Sequence, residues 1–92
     1  MIKSFRCKET QALFEGRAPR RFKTLVAVAE RKLQMLDVAK TIADLRCPPG
    51  NRVEALKGDR RGQWSIRINE QWRLCFGFAD GEATEVEIVD YH

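Results

Sequence analysis

Apolar residues fall on every second position between 64 and 78: Trp64, Ile66 and Ile68, then Trp72, Leu74, Phe76 and Phe78. A period of two marks strands with one buried face. Asn69-Glu70-Gln71 separates the two runs and is short enough for a hairpin connection, although the Asn-Gly pair that would fix the turn type is missing. The opposite parity carries Gln63, Ser65, Arg67 and Asn69, then Arg73, Cys75 and Gly77. The pattern therefore predicts two antiparallel strands that build a core with one face and present polar and cationic groups from the other.

Around this hairpin the chain divides cleanly. Ile2 to Arg6 alternates and predicts a first strand. Glu9 to Gly16 predicts a short helix, with Gly16 as its stop. Pro19 suits the first turn of the next helix, which runs to Ala39. Its apolar stripe is Phe22, Leu25, Val28, Ala29, Leu33 and Leu36, with Lys23, Arg31 and Lys32 elsewhere around it. Thr41-x-x-Asp44 caps a further short helix, and Cys47-Pro48-Pro49-Gly50-Asn51 ends it. Arg52 to Leu56 opens the strand-rich half. Asp80-Gly81 turns into a last strand, Thr84 to Val89, with Val86 and Ile88 on one side and Glu85 and Glu87 on the other. Helices grouped ahead of a run of strands predict an α+β domain spanning 1–92, its helices on one face of an antiparallel sheet.

Composition narrows the class. At 92 residues the chain is one domain. It has no apolar run of about 18 residues, and Met1 to Phe5 shows no apolar leader core; both features predict a cytoplasmic protein without a membrane partner. The net charge of +4 favours a polyanionic partner. Arg17, Arg20, Arg21, Lys23, Arg31 and Lys32 form one basic group, which reads equally as a solvated helix face. Arg52, Lys57, Arg60, Arg61, Arg67 and Arg73 form a second, interleaved with strand aromatics, and point to nucleic acid. The 3 cysteines, Cys7, Cys47 and Cys75, are widely spaced, and the chain has 1 histidine. Neither a disulfide framework nor a metal site fits that pattern, and no cofactor is expected.

RNA carries its own nucleophile, the 2′-hydroxyl, beside each phosphodiester. Cleavage needs a base for that proton, a cation for the charge gathering at phosphorus, and an acid for the departing 5′-oxygen. Glu54 is a candidate base and Arg73 a planar, permanently charged phosphate ligand. His92, whose side chain alone has an ordinary pKa near neutrality, is a candidate acid. Tyr91 is a candidate to stack on a base or bond a phosphate oxygen, and Asp90 to orient His92. Lys57, Arg60, Arg61 and Arg67 are candidates for holding neighbouring phosphates. The competing view of each is plain: a strand Glu is usually a solvated surface group.

Leu56-Lys57-Gly58-Asp59-Arg60, the following Gly62-x-Trp64-Ser65-Ile66, the Asn69-x-x-Trp72-Arg73-Leu74 hairpin and the Asp90-Tyr91-His92 ending resemble the RelE-like toxins of bacterial toxin–antitoxin systems, within the HigB/GraT branch. The resemblance extends loosely to Met1 to Phe5 and so covers nearly the whole chain. It implies a RelE-like fold and a ribosome-dependent mRNA endoribonuclease acting in the ribosomal A site. It further implies inhibition by a HigA/GraA-like helix-turn-helix antitoxin, through which operator DNA is contacted only indirectly. Toxins of this branch with the same ending commonly carry His where this chain has Glu54. YoeB-type relatives use a Glu, an Arg and a His as base, phosphate stabiliser and acid, a set that Glu54, Arg73 and His92 match. The alternatives are a non-catalytic or weakly catalytic ribosome- or RNA-binding protein, in which Glu54 marks lost chemistry, and a co-regulator of a DNA-bound antitoxin.

Overall fold

The helical stripe and the alternating strands meet in one core. A computed structural model describes residues 1–90. In it Phe22, Ala29, Leu33 and Leu36 from the helical half pack with Ile66, Leu74 and Phe76 from the strands, all fully buried. The Phe22 ring stands edge-on to Trp72, with centroids 5.5 Å apart at 87°, a geometry worth roughly 0.5–1.5 kcal/mol beyond the buried area.

Two α-helices, α1 (Lys8–Phe14) and α2 (Val26–Val38), precede four strands. These are β1 (Glu54–Ala55), β2 (Gln63–Arg67), β3 (Trp72–Ala79) and β4 (Glu82–Asp90), paired antiparallel in the order β1-β2-β3-β4. The fold is α+β, with helices on one face of the sheet, as the grouping of elements predicts.

The turns follow from side-chain chemistry. Asn69 Oδ1 accepts from the backbone N–H groups of Gln71 and Trp72, both at 2.8 Å; a short amide oxygen thus does the work of a turn carbonyl. Asp80 and Gly81 take φ of 52° and 77°, the left-handed pair that suits a tight hairpin. The β3–β4 register shifts between Cys75 and Gly77, and a Cβ on Gly77 would lie 2.8 Å from Thr84 Oγ1. Only glycine permits that approach.

Several local expectations change. Ile2 to Arg6 forms no strand; it makes two parallel bridges, Ile2 with Ala83 and Phe5 with Val86, along the outer edge of β4. Glu85 lies between them at φ 51°, which breaks the ladder, and its N–H bonds the Ser4 hydroxyl at 3.0 Å. The segment still covers an edge that would otherwise offer unpaired backbone groups. The long helix predicted from Pro19 to Ala39 divides into a 3₁₀ turn at Arg20–Leu25 and α2, with Pro19 preceding the turn and Phe22 leaving helical geometry at φ −109°. Tighter winding aligns residues three apart, and it is Phe22 and Leu25 that enter the core. Thr41 and Asp44 form the expected capping box, over a 3₁₀ turn at Ile42–Arg46.

Two further departures bear on function. Lys32 is only 9% exposed, and its Nζ donates to Asn51 Oδ1, so it is not a solvated lysine beside the stripe. The second sheet face is not open either. Ser65 and Cys75 are fully buried and Arg73 is 8% exposed; the Arg52 carbonyl, from the segment before β1, reaches Arg73, and Arg60, from the segment between β1 and β2, reaches onto the same face. Arg60 Nη2 reaches Glu87 Oε1 at 2.7 Å and Arg60 Nη1 reaches Gln63 Oε1 at 3.1 Å.

Candidate functional site

Strand register assembles the candidate site. Glu54 lies opposite Ser65, Ser65 opposite Cys75, and Cys75 opposite Glu87. One step along, Arg67 lies opposite Arg73 and Arg73 opposite Val89. These residues share the parity that faces away from the helical core.

Arg73 is the fixed point. Its Nε donates to Ser65 Oγ at 2.8 Å, and its Nη2 donates to the Arg52 carbonyl at 2.6 Å and to the Ser65 carbonyl at 3.4 Å. A buried guanidinium is tolerable only when oxygens replace its lost hydration. The Arg52 carbonyl is available because that residue turns through the left-handed region at φ 46° after the 3₁₀ turn Pro49–Asn51. Glu54 Oε1 lies 3.9 Å from Arg73 Nη2, while the Glu54 side chain is 52% exposed. A rotatable carboxylate therefore stands at the rim beside an immobilised cation.

Of the other expected residues, Lys57 and Arg61 are exposed and flank the 3₁₀ turn Gly58–Arg60, and Arg67 is half-buried at the end of β2. Arg60, expected with them on phosphates, is half-buried and pairs with Glu87, which ties the segment between β1 and β2 to β4. Asp90 pairs with Trp72 in the sheet and so has the parity opposite to Arg73; its Oδ2 accepts from Gln71 Nε2 at 3.0 Å. Tyr91 and His92 lie outside the described residues. Burial pushes the Cys75 thiol above its ordinary pKa, and Glu87 pushes the same way against the opposing pull of Arg60 and Arg73. Cys75 is thus a neutral strand residue, not a nucleophile. Among the described residues no group of three or more His, Cys, Asp and Glu is placed to hold a metal ion.

Sequence reasoning missed Ser65 and the Arg52 carbonyl as ligands of Arg73. The Ser65 contact was within reach: it has Arg73's parity in a hairpin whose pairing follows from the turn. The Arg52 carbonyl carries no sequence signal.

Residues 3–92 match the family model described as the RelE-like toxin of the type II toxin–antitoxin system HigB. The chain belongs to the HigB-like toxin family. It is similar to Toxin HigB-1 of Vibrio cholerae serotype O1, 55% identical over 53 residues that take in 58% of this chain and 56% of that toxin. It is also 37% identical to the Endoribonuclease HigB of Proteus vulgaris over 93 residues, covering 100% of both chains. Among solved structures it resembles YafQ from E. coli strain BL21(DE3), with a TM-score of 0.68 and 14% identity over 98% of this chain and 91% of that one. The heterotetrameric YoeB–YefM toxin–antitoxin complex of Staphylococcus aureus gives a TM-score of 0.63 and 18% identity, over 100% of this chain and 95% of that one. At such identities the structures speak to fold alone, and they agree with the RelE-like architecture implied by the motifs. No helix among the described residues of this HigB-like toxin is long and apolar enough to cross a membrane.

Proposed function

We propose that this HigB-like toxin is an endoribonuclease that cuts mRNA in the ribosomal A site, using the RNA 2′-hydroxyl as nucleophile. Glu54 takes the proton from the 2′-oxygen as that oxygen bonds to phosphorus. The phosphorus–5′-oxygen bond breaks, and His92 gives its proton to the departing oxygen, leaving a 2′,3′-cyclic phosphate. Arg73 stabilises the charge on the phosphoryl oxygens. Tyr91 stacks on or bonds the substrate, and Asp90 orients His92. Lys57, Arg60, Arg61 and Arg67 hold flanking phosphates, Arg60 while paired with Glu87. A HigA/GraA-like helix-turn-helix antitoxin holds the toxin inactive in the cytoplasm and is its only link to operator DNA.

The observation that carries this proposal is the Arg73 guanidinium, held by Ser65 and the Arg52 carbonyl with the Glu54 carboxylate 3.9 Å away. A preorganised cation costs no reorganisation when charge develops. The family membership and the name of the Proteus vulgaris relative support the endoribonuclease reading. A second view, a ribosome-binding protein with little catalysis, draws on Glu54 itself, since a half-exposed carboxylate near an arginine is also an ordinary surface pair.

Single-turnover cleavage of mRNA on programmed ribosomes, paired with binding of an uncleavable 2′-deoxy substrate, separates the two. Arg73→Ala is expected to slow cleavage by roughly 10²–10³-fold or more while binding falls much less. Removing His92 is expected to cost about 10²–10⁴-fold, and Glu54→Gln a loss of the same kind. Folded variants that all cut at the parental rate would refute the assignment. Rate and binding falling in proportion would favour the binding protein.

A further inference from the structure

A hydrogen-bonded path runs from α2 to the candidate site, and it begins at a lysine in an unusual place. Lysine is almost never buried without a partner, yet Lys32 is 9% exposed. Among the described residues no carboxylate pairs with it. Its Nζ bonds the side-chain oxygen of Asn51, while Arg31 and Arg67 place like charge nearby. Burial, and then those two cations, push the ammonium below its ordinary pKa. An apolar residue of the same length would fill this position without the cost of a desolvated charge. A lysine here has some other use.

Asn51 shows what that use is. It is fully buried, and its Nδ2 donates to the Leu45 carbonyl at 2.9 Å, which turns Oδ1 toward Lys32. Its backbone N–H bonds the Pro48 carbonyl at 3.0 Å, and the Arg52 N–H bonds the Pro49 carbonyl at 3.1 Å. Arg52, held between these contacts, takes φ 46°, a conformation that costs a non-glycine residue of order 1–3 kcal/mol and persists only when its surroundings impose it. Its carbonyl is the one that accepts from Arg73 Nη2 at 2.6 Å. The path is therefore Lys32, Asn51, the Arg52 backbone, then Arg73.

We propose that Lys32 is a positioning residue: by holding Asn51 it fixes the Arg52 carbonyl on which the Arg73 guanidinium docks. Lys32 touches neither RNA nor the reacting atoms. It sets the orientation of the group that does, and its catalytic consequence rests on the role proposed above for Arg73. A guanidinium displaced by about 1 Å costs on the order of 10²-fold in rate, so a lost anchor at Asn51 is felt mainly in turnover.

The test uses the full chain with Lys32→Met, which keeps length and packing, and Lys32→Arg, which keeps a cationic donor. The first readout is NMR of the Arg73 guanidinium. Its Nε–H bonds a buried Ser65 oxygen and is expected to exchange slowly with water in the parent. Lys32→Met is expected to speed that exchange at least tenfold in protein that remains folded by tryptophan fluorescence, and Lys32→Arg to restore protection. Unchanged exchange in folded Lys32→Met overturns the proposal without touching the role of Arg73. The second readout is a double-mutant cycle in single-turnover cleavage. Lys32→Met is expected to lose about ten- to a hundredfold in the parental background and nothing further in Arg73→Ala. An equal loss in both backgrounds shows that Lys32 does not act through Arg73 and also overturns it. If Arg73→Ala itself cuts normally, the role of Arg73 fails, and positioning by Lys32 is decided by exchange alone. Should Lys32→Met not fold, Lys32→Gln, which retains a donor toward Asn51 without the charge, undergoes the same measurements with the same criteria.

Discussion

Ser65→Ala removes a single oxygen from the fully buried face of β2, and its consequences can be worked from three distances. Arg73 Nε loses its acceptor at 2.8 Å, while the bonds from Nη2 to the Arg52 carbonyl at 2.6 Å and to the Ser65 carbonyl at 3.4 Å involve backbone and survive. A hydrogen bond to a charged group contributes about 1.5–3 kcal/mol when buried. The folded state should lose stability of that order, because a residue with 0% exposure is shut off from bulk solvent. A rate change follows only if the lost bond also frees the guanidinium to shift within its remaining contacts. At about 1.36 kcal/mol per tenfold, full transmission corresponds to roughly a ten- to hundredfold slower cut.

Urea unfolding measures the first effect and single-turnover cleavage on ribosomes the second. Binding of the 2′-deoxy substrate should be nearly unchanged, because Lys57, Arg61 and Arg67 are untouched. An alanine variant with parental stability and parental rate would mean that the Ser65 bond contributes nothing to holding Arg73. Destabilisation with an undiminished rate would mean that the contacts left to Arg73 suffice to hold it.

The remaining predictions concern the exposed cations and the buried lysine. Neutralising Lys57, Arg61 and Arg67 together should reduce the slope of log K against log salt concentration for ribosome binding by about 2, at roughly 0.7 per phosphate on a single strand; an unchanged slope would shift the contact to Arg20, Arg21 and Lys23. Lys32 gives a pH signature of definite sign. Its folded pKa lies below 10.5, so just below that value the unfolded chain binds more protons, and stability rises with pH across the window. Lys32→Met should lack that rise relative to the parent. The raised Cys75 thiol acts in the opposite direction above its ordinary 9.0, but it is common to both proteins and cancels in their difference. Parallel stability–pH curves for the two would contradict a desolvated ammonium at Lys32.

Periodicity made the architecture readable and left the joints obscure. Alternation at Trp64 to Phe78 specified the hairpin because a strand's side chains have only two directions, and spacing of three and four at Leu25 to Leu36 specified a buried helical face. Nothing in that logic registers a residue such as Phe22, which stays in the stripe while its backbone leaves the helix. Nor does it register Glu85, whose left-handed φ divides the N-terminal pairing into two bridges. The polar face misled for a related reason. Parity tells which residues share a face, but not whether neighbouring segments will reach onto it, and here Arg60 meets Glu87 on β4 while the Arg52 carbonyl meets Arg73. Lys32 was misread although it stands three residues after Ala29 and four before Leu36. Its spacing placed it beside the stripe, and only its charge argued for water.

Glu54 and Arg73 were both nameable in advance, yet only the fold shows how differently they are held. Arg73 is anchored through Nε and Nη2 by oxygens from two segments, so its charge stands ready before any substrate arrives. Glu54 lies on a two-residue strand with half its side chain in solvent, free to turn toward Arg73 or away. On the proposed chemistry that inequality is useful. Charge at phosphorus grows toward the transition state and is best met by a cation that need not move. A proton acceptor must instead meet a 2′-hydroxyl whose position depends on how the RNA is bent. A fixed cation with a movable carboxylate would leave the free toxin with half of its site built, and the substrate, shaped on the ribosome, would complete the rest. Restricting Glu54 without restricting the RNA would then gain little, whereas loosening Arg73 would be costly in every substrate.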